Sequence, residues 1–288
     1  MKTLLTALIA TLFVNGYSPS VNERFRNHDS FVGRQYDWSG VGNVGTRTLT
    51  MISPMYFVSA KHHFPAPGST AVFWPTNDKS GGSVTAVVDD WRQSLLEHDS
   101  PGGVYESDLM VGRLNTSLPP TICHYQIDPR MDYKGKPALI CGVGQRIGRC
   151  TIDHVTQWNA WARNGWAAVL VYTAQPGEAA AQMGDSGAPL MVVHDNALCL
   201  VGTNWQYHGH VPPTGIGDFT VVAFAPKFFD QICTFAIDGD MNGDQQVNSK
   251  DLDIARTRSS KELDMVRANW GHKGPRWFQR HYDPGSRK

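Results

Sequence analysis

The chain has 288 residues, with 26 basic and 26 acidic side chains and no formal net charge. Hydrophobic residues make up 41% and aromatic residues 10%. That is enough apolar material for a full core, and the balanced charge argues against nucleic acid or a membrane surface as the main partner.

The first element reads as an export signal, with a buried strand or helix of the mature fold as the alternative. Lys2 gives a positive start and residues 4–14 form a compact apolar run. A bilayer-spanning helix takes about 20 apolar residues, so this run is too short to be one, and no later run qualifies. Residues 1–18 are read as a signal peptide, which sends the protein to the periplasm or the medium.

From about residue 30 to 234 the pattern is strand-length apolar runs broken by turn residues. Runs at 48–52, 71–74, 109–111, 138–141, 167–172, 189–193 and 220–224 are rich in β-branched or aromatic residues. Gly- and Pro-bearing turns at 99–103 and 211–215 separate some of them. Long helical periodicity is absent, so residues 19–235 read as one mainly β domain. The five cysteines are Cys123, Cys141, Cys150, Cys199 and Cys233. An odd number leaves at least one thiol unpaired within the chain, and no Cys-x-x-Cys spacing suggests zinc. Cys141 and Cys150 are placed to bridge a hairpin, and an exported chain is expected to carry one or two disulfides.

Three motifs carry chemistry. Gly184-Asp185-Ser186-Gly187-Ala188-Pro189 sets a serine between glycines that let the backbone turn tightly. Phe57-Val58-Ser59-Ala60-Lys61-His62 runs an apolar strand into a histidine, and Ser107-Asp108-Leu109-Met110-Val111 opens a strand with an aspartate. A serine needs a base, and the base needs an orienting group. In the order His, Asp, Ser these segments resemble the catalytic motifs of chymotrypsin-type serine proteases. The resemblance implies two six-stranded antiparallel β-barrels and hydrolysis of peptide bonds through an acyl-enzyme. It implies Ser186 as nucleophile, His62 as general base and Asp108 as its orienting group, with the backbone N–H groups of Gly184 and Ser186 as the oxyanion hole. The Ser-Ala spacing selects His62 over His63.

The departures from that family also matter. Ala188 stands where a second glycine is usual, and His63 where the family has a cysteine. No basic residue precedes an activation-type sequence; Phe31-Val32-Gly33 is the nearest fragment. In the family, the residue matching Asp185 often pairs with a newly cut N-terminus. The resemblance puts Ala180, Asn204 and Trp205 in the substrate pocket, with Trp205 as an aromatic wall and no acidic residue at Ala180. An uncharged residue, rather than Lys or Arg, is expected before the cut. Two rival functions are a non-catalytic binding protein on the same fold and a secreted serine esterase. The α/β-hydrolase esterases use the order Ser, Asp, His, and little chain follows Ser186.

Composition shifts after Cys233. Asp240, Asn242, Asp244, Gln246, Asn248 and Asp251 have the spacing of an EF-hand-type calcium loop, with Gln246 contributing its backbone carbonyl. The run resembles a dockerin repeat, although Gln245 replaces the usual glycine and only one loop is present. Residues 236–271 are read as a small helical, calcium-binding, dockerin-like module, for which the resemblance implies a cohesin-like partner. Residues 272–288 form a basic tail. No cofactor is expected in catalysis. The Gly142–Gly148 stretch reads as a hairpin in preference to a nucleotide loop, and His208 and His210 as loop residues in preference to metal ligands.

Overall fold

The computed structural model describes residues 22–23, 32–98, 103–127, 130–160, 163–171, 179, 181–208 and 219–236. After a short strand β1 (Asn22–Glu23), six strands form a closed barrel: β2 (Val41–Val44), β3 (Arg47–Met51), β4 (Tyr56–Ala60), β5 (Thr70–Phe73), β6 (Val84–Glu97) and β7 (Tyr105–Leu114). Their order around the barrel is β2-β3-β4-β7-β6-β5, closed by the β2–β5 pair. Every residue of β4 is buried. One of its faces fills the barrel and the other packs against the second half of the molecule, which is why Tyr-Phe-Val-Ser-Ala lacks a polar/apolar alternation.

The second half contains β8 (Gln126–Ile127), β9 (Pro137–Gly142), β10 (Arg146–Thr151), β11 (His154–Ala160), β12 (Arg163–Val171), β13 (Pro189–His194), β14 (Ala197–His208) and β15 (Phe219–Phe224). With β1 they make a nine-stranded sheet in the order β1-β10-β9-β13-β14-β15-β12-β11, and β8 adds in parallel to β14. The β13–β14 hairpin turns on Asp195 and Asn196, both at positive φ (48° and 61°). Such a two-residue turn needs a left-handed backbone, which Asp and Asn tolerate better than most side chains.

Three apolar clusters follow this plan. One fills the barrel with Leu49, Met51, Phe57, Phe73 and Leu114. A second lies within the nine-stranded half, with Ile140, Leu190, Val201 and Phe224. The third joins the halves through Tyr56, Val58, Leu109, Trp205 and Val221. The closing helix α1 (Phe229–Phe235) buries Ile232. Its Gln231 accepts from the Leu96 N–H (2.9 Å) and donates to the Leu96 carbonyl (2.7 Å), which stitches the end of the domain to β6.

Several expectations change. The expected pair of six-stranded barrels becomes one closed barrel and one nine-stranded sheet. Among the described residues β1 and β11 are the two ends of that sheet and do not pair with each other. None of the five cysteines is joined in a disulfide. In the β9–β10 register Cys141 faces Ile147 while Cys150 faces Ala138. Cys141 belongs to the cluster between the halves and Cys150 to the one within the sheet, so no hairpin disulfide forms. The 142–148 stretch is a β-hairpin turn, with Gly144 and Gln145 at positive φ. The export signal, the dockerin-like loop and the basic tail lie outside the described residues, as does any cohesin contact. No helix among the described residues is long and apolar enough to cross a membrane.

Candidate active site

Strand register brings the first two site residues together. In the antiparallel β4–β7 pair, Ala60 faces Leu109 and Ser59 faces Met110. Asp108 therefore sits one residue before the partner of Ala60. The chain leaves β4 in a 3-10 turn, Lys61–His63, which swings the His62 ring back over Asp108. Asp108 Oδ1 accepts from the His62 backbone N–H at 3.1 Å, and Oδ2 meets His62 Nδ1 at 2.8 Å. The aspartate side chain is 1% exposed and the imidazole 37%. Both carboxylate oxygens are thus committed to one residue. Since a carboxylate only accepts, Nδ1 carries the proton and Nε2 is left as an acceptor.

That acceptor faces Ser186. His62 Nε2 and Ser186 Oγ are 2.8 Å apart. The serine comes from the other half, on the turn that precedes β13. Gly184 and Gly187 hold φ of 98° and 84° there, a region L side chains rarely enter. Gly187 has a second reason to lack a side chain. A Cβ on it would lie 2.5 Å from Ser59 Oγ and 3.0 Å from the Thr48 carbonyl. The serine turn is therefore pressed against the barrel wall, where Ser59 Oγ donates to the Thr48 carbonyl at 2.6 Å. On its other side the turn is tied to β14: Gly187 N–H donates to Asn204 O (2.9 Å) and Asn204 N–H to Ala188 O (2.8 Å). Among the described residues the N–H groups of Gly184 and Ser186 have no acceptor.

A cavity of about 180 Å³ opens beside Ser186, lined among others by Met183, Gly184, Asn204, Trp205 and Gln206. The β14–β15 register shifts between Asn204 and Gln206, which makes Trp205 the extra residue of a bulge. A bulge re-aims a side chain next to a site. The Asn204 amide donates to the Cys141 carbonyl at 2.9 Å, so this residue braces the cavity floor onto β9. Ala180 lies outside the described residues.

His63 lies beside the line from Asp108 through His62 to Ser186. Its ring is 6.3 Å from that of His62 and nearly parallel to it. Burial, with smaller contributions from Arg47 and His62, holds its pKa below the usual histidine value, partly offset by a hydrogen bond to the Ser186 backbone. Nothing joins His63 to Asp108, so the aspartate discriminates between the two histidines.

Among the described residues no three His, Cys, Asp or Glu side chains gather as a metal site. His208 ends β14, and His210 and the 240–251 loop lie outside the described residues. Three contributors escaped the sequence reading: Gly142, Arg146 and Gln182, which surround Asp185. Only the pair of glycines near a strand end hinted at close backbone approach.

No family model matches the chain, and no curated protein matches it. Among solved structures it is similar to the NS6 protease of murine norovirus 1, at 15% identity and a TM-score of 0.39, over 65% of this chain and 90% of that one. It is also similar to kallikrein-related peptidase 10, at 17% identity and a TM-score of 0.43, over 75% of this chain and 96% of that one. At such low similarity the chemistry of the site is read from its own geometry.

Proposed function

We propose that the chain is a serine endopeptidase of the chymotrypsin type. The observation that carries this reading is the unbroken line from Asp108 through His62 to Ser186, with both contacts at 2.8 Å. Ser186 Oγ attacks the scissile carbonyl while His62 Nε2 takes its proton. The imidazolium that forms is stabilised by Asp108 and returns the proton to the leaving amine. The Gly184 and Ser186 N–H groups receive the developing oxyanion. In enzymes of this kind one such donor lowers the barrier by roughly 3 kcal/mol.

The cavity beside Ser186 receives the residue before the cut. The Trp205 indole and Met183 favour an uncharged side chain, and the carboxylate of Asp185 is engaged inside its own turn. A peptide-library digest is expected to show cleavage after uncharged residues; cleavage chiefly after Lys or Arg sinks this specificity.

A fluorophosphonate probe tests the main reading. It is expected to label Ser186 in the wild-type chain and not in Ser186→Ala, with casein degradation lost in parallel. A folded wild-type chain that neither labels nor degrades casein favours the non-catalytic binding protein. The proposal extends to an exported protein whose Asp240–Asp251 oxygen donors bind calcium; N-terminal sequencing of the secreted form and a calcium titration test those parts separately.

A further inference from the structure

The turn that presents Ser186 encloses a buried negative charge. Asp185 precedes the nucleophile, and its side chain is 3% exposed. Its Oδ2 accepts the Gln182 N–H at 2.7 Å, and the backbone closes the same turn from Asp185 N–H to Gln182 O at 3.0 Å. A carboxylate out of water is usually paired with a cation as well as hydrogen-bonded. Arg146 supplies it, with Nη2 at 3.6 Å from Asp185 Oδ1. The same guanidinium reaches Gln182 Oε1 at 3.4 and 3.5 Å. One arginine thus spans both ends of the 182–185 turn, the segment that sets Gly184 and Ser186.

The surroundings are shaped for this arrangement. Arg146 and Gly142 face each other across the β9–β10 pair. A Cβ on Gly142 would lie 2.9 Å from either Asp185 oxygen, so the glycine vacates the place where the carboxylate rests. The hairpin between them is anchored as well: Gln145 Nε2 donates to the Val41 carbonyl of β2 at 2.8 Å. The cation is therefore held by the sheet and fixed relative to the barrel that bears His62.

We propose that Arg146 is the positioning residue of the oxyanion turn. Its charge holds Asp185 inward over Gly142, and this keeps the Gly184 and Ser186 N–H groups aimed where the oxyanion develops. Arg146 touches neither nucleophile nor base. The proposal rests on the serine-peptidase reading, and it makes Arg146 matter for the transition state rather than for substrate binding.

The test compares Arg146→Met, Arg146→Gln and Arg146→Lys in the full chain. Kinetics on a peptide ester, fluorophosphonate labelling, thermal unfolding and amide hydrogen exchange of the 182–188 segment are measured together. Arg146→Met and Arg146→Gln are expected to lower kcat by about 100-fold, the size of losing one oxyanion donor, with KM within about two-fold. Exchange across 182–188 should accelerate while the rest of the chain keeps its protection. Arg146→Lys should recover a large part of both. Wild-type kcat in Arg146→Gln overturns the proposal, as does a loss confined to KM. If Arg146→Met does not fold, Arg146→Gln and Arg146→Lys decide the matter: equal activity in these two overturns the need for charge. A wild-type chain that never labels ends the peptidase reading instead, and the exchange data still judge whether Arg146 holds the turn.

Discussion

His62 and Asp108 stand on a closed barrel, whereas Ser186 stands on a turn leading into a nine-stranded sheet. The barrel half fixes its two side chains by strand register: β4 pairs with β7, and the aspartate falls under the histidine with no special residue required. The serine half has no such register at Ser186. It relies on two glycines at positive φ, a buried carboxylate and Asn204 to hold a single turn. Regular pairing is robust because many bonds share the constraint; a turn concentrates the constraint in a few atoms. Substitutions should therefore act differently in the two halves.

The largest effect belongs to Asp108→Asn. Both oxygens of Asp108 accept from His62, and an amide in their place turns a donor toward Nδ1 and favours the wrong tautomer. A fall in kcat of about 10⁴-fold is expected, with thermal unfolding little changed because the β4–β7 ladder is untouched. A fall below about ten-fold on a peptide ester breaks the assignment of Asp108.

In the serine half the matching experiment is Gly187→Ala. The new methyl group meets Ser59 Oγ at 2.5 Å and the Thr48 carbonyl at 3.0 Å, on a backbone at φ 84°. Overpacking and a left-handed backbone together cost about 3 kcal/mol, and the Ser186 labelling rate should fall with it as the halves separate. Gly45→Ala is the control. Gly45 also has positive φ (58°), yet its Cβ would meet nothing within 4 Å, so only about 1 kcal/mol from the left-handed backbone is expected. Equal losses in chemical denaturation would remove the distinction between a turn under contact and a free one.

Arg113→Met sharpens the barrel side. Arg113 Nε and Nη2 both reach Asp89 Oδ2, at 3.0 and 2.8 Å, and the guanidinium lies 5.7 Å from the centre of the Trp91 ring. Leaving Asp89 without this partner should cost about 2 kcal/mol of stability. The pair links β6 to β7 far from Ser186, so labelling of the folded fraction should stay at the wild-type rate. A change in that rate would mean that the barrel transmits strain to the site.

The same contrast explains what the sequence made legible. The apolar runs at 48–52, 109–111, 138–141, 189–193 and 220–224 all coincide with strands, because buried strands advertise themselves by β-branched and aromatic residues. β6 does not: Asp89, Asp90, Arg92 and Glu97 break its pattern, and its register with β7 shifts between Val88 and Arg92. Four residues of β6 span that shift against two of β7, and the buried positions change phase there, so a period of two no longer describes the strand. His62, Asp108 and Ser186 were visible from local motifs: His62 and Ser186 sit where a strand meets a turn, and Asp108 lies inside β7 just before its apolar run, three residues further in than a strand-opening position. Arg146, Gly142 and Gln182 were not. Their roles depend on a cross-strand pair and a turn 40 residues apart in sequence meeting at one carboxylate, which no local pattern encodes. The disulfide expectation failed for a related reason. Spacing along a hairpin says nothing about which face a residue takes, and Cys141 and Cys150 belong to different clusters.

The smallest expected effect lies at the seam between the halves, in His63→Gln. His63 belongs to the barrel side by sequence and faces the Ser186 backbone across the seam; burial holds its pKa below the usual histidine value. In the unfolded chain it titrates at the ordinary value. As pH falls through the ordinary histidine range the unfolded state takes up this proton before the folded state does. The wild type therefore loses stability toward acid on account of His63, and the contribution is fully present only above that range. His124, whose pKa burial also lowers, contributes with the same sign, so the informative quantity is the difference between wild type and variant. Glutamine keeps a polar side chain of similar reach beside the Ser186 backbone and removes the titration. Denaturation between pH 7.5 and 5 should show a shallower decline for His63→Gln, with kcat near neutral pH little changed. Identical slopes would mean that His63 is already solvated in the native state, and the seam would then carry no buried charge cost. A collapse of kcat in this variant, with stability intact, would move His63 from the margin of the site into its chemistry.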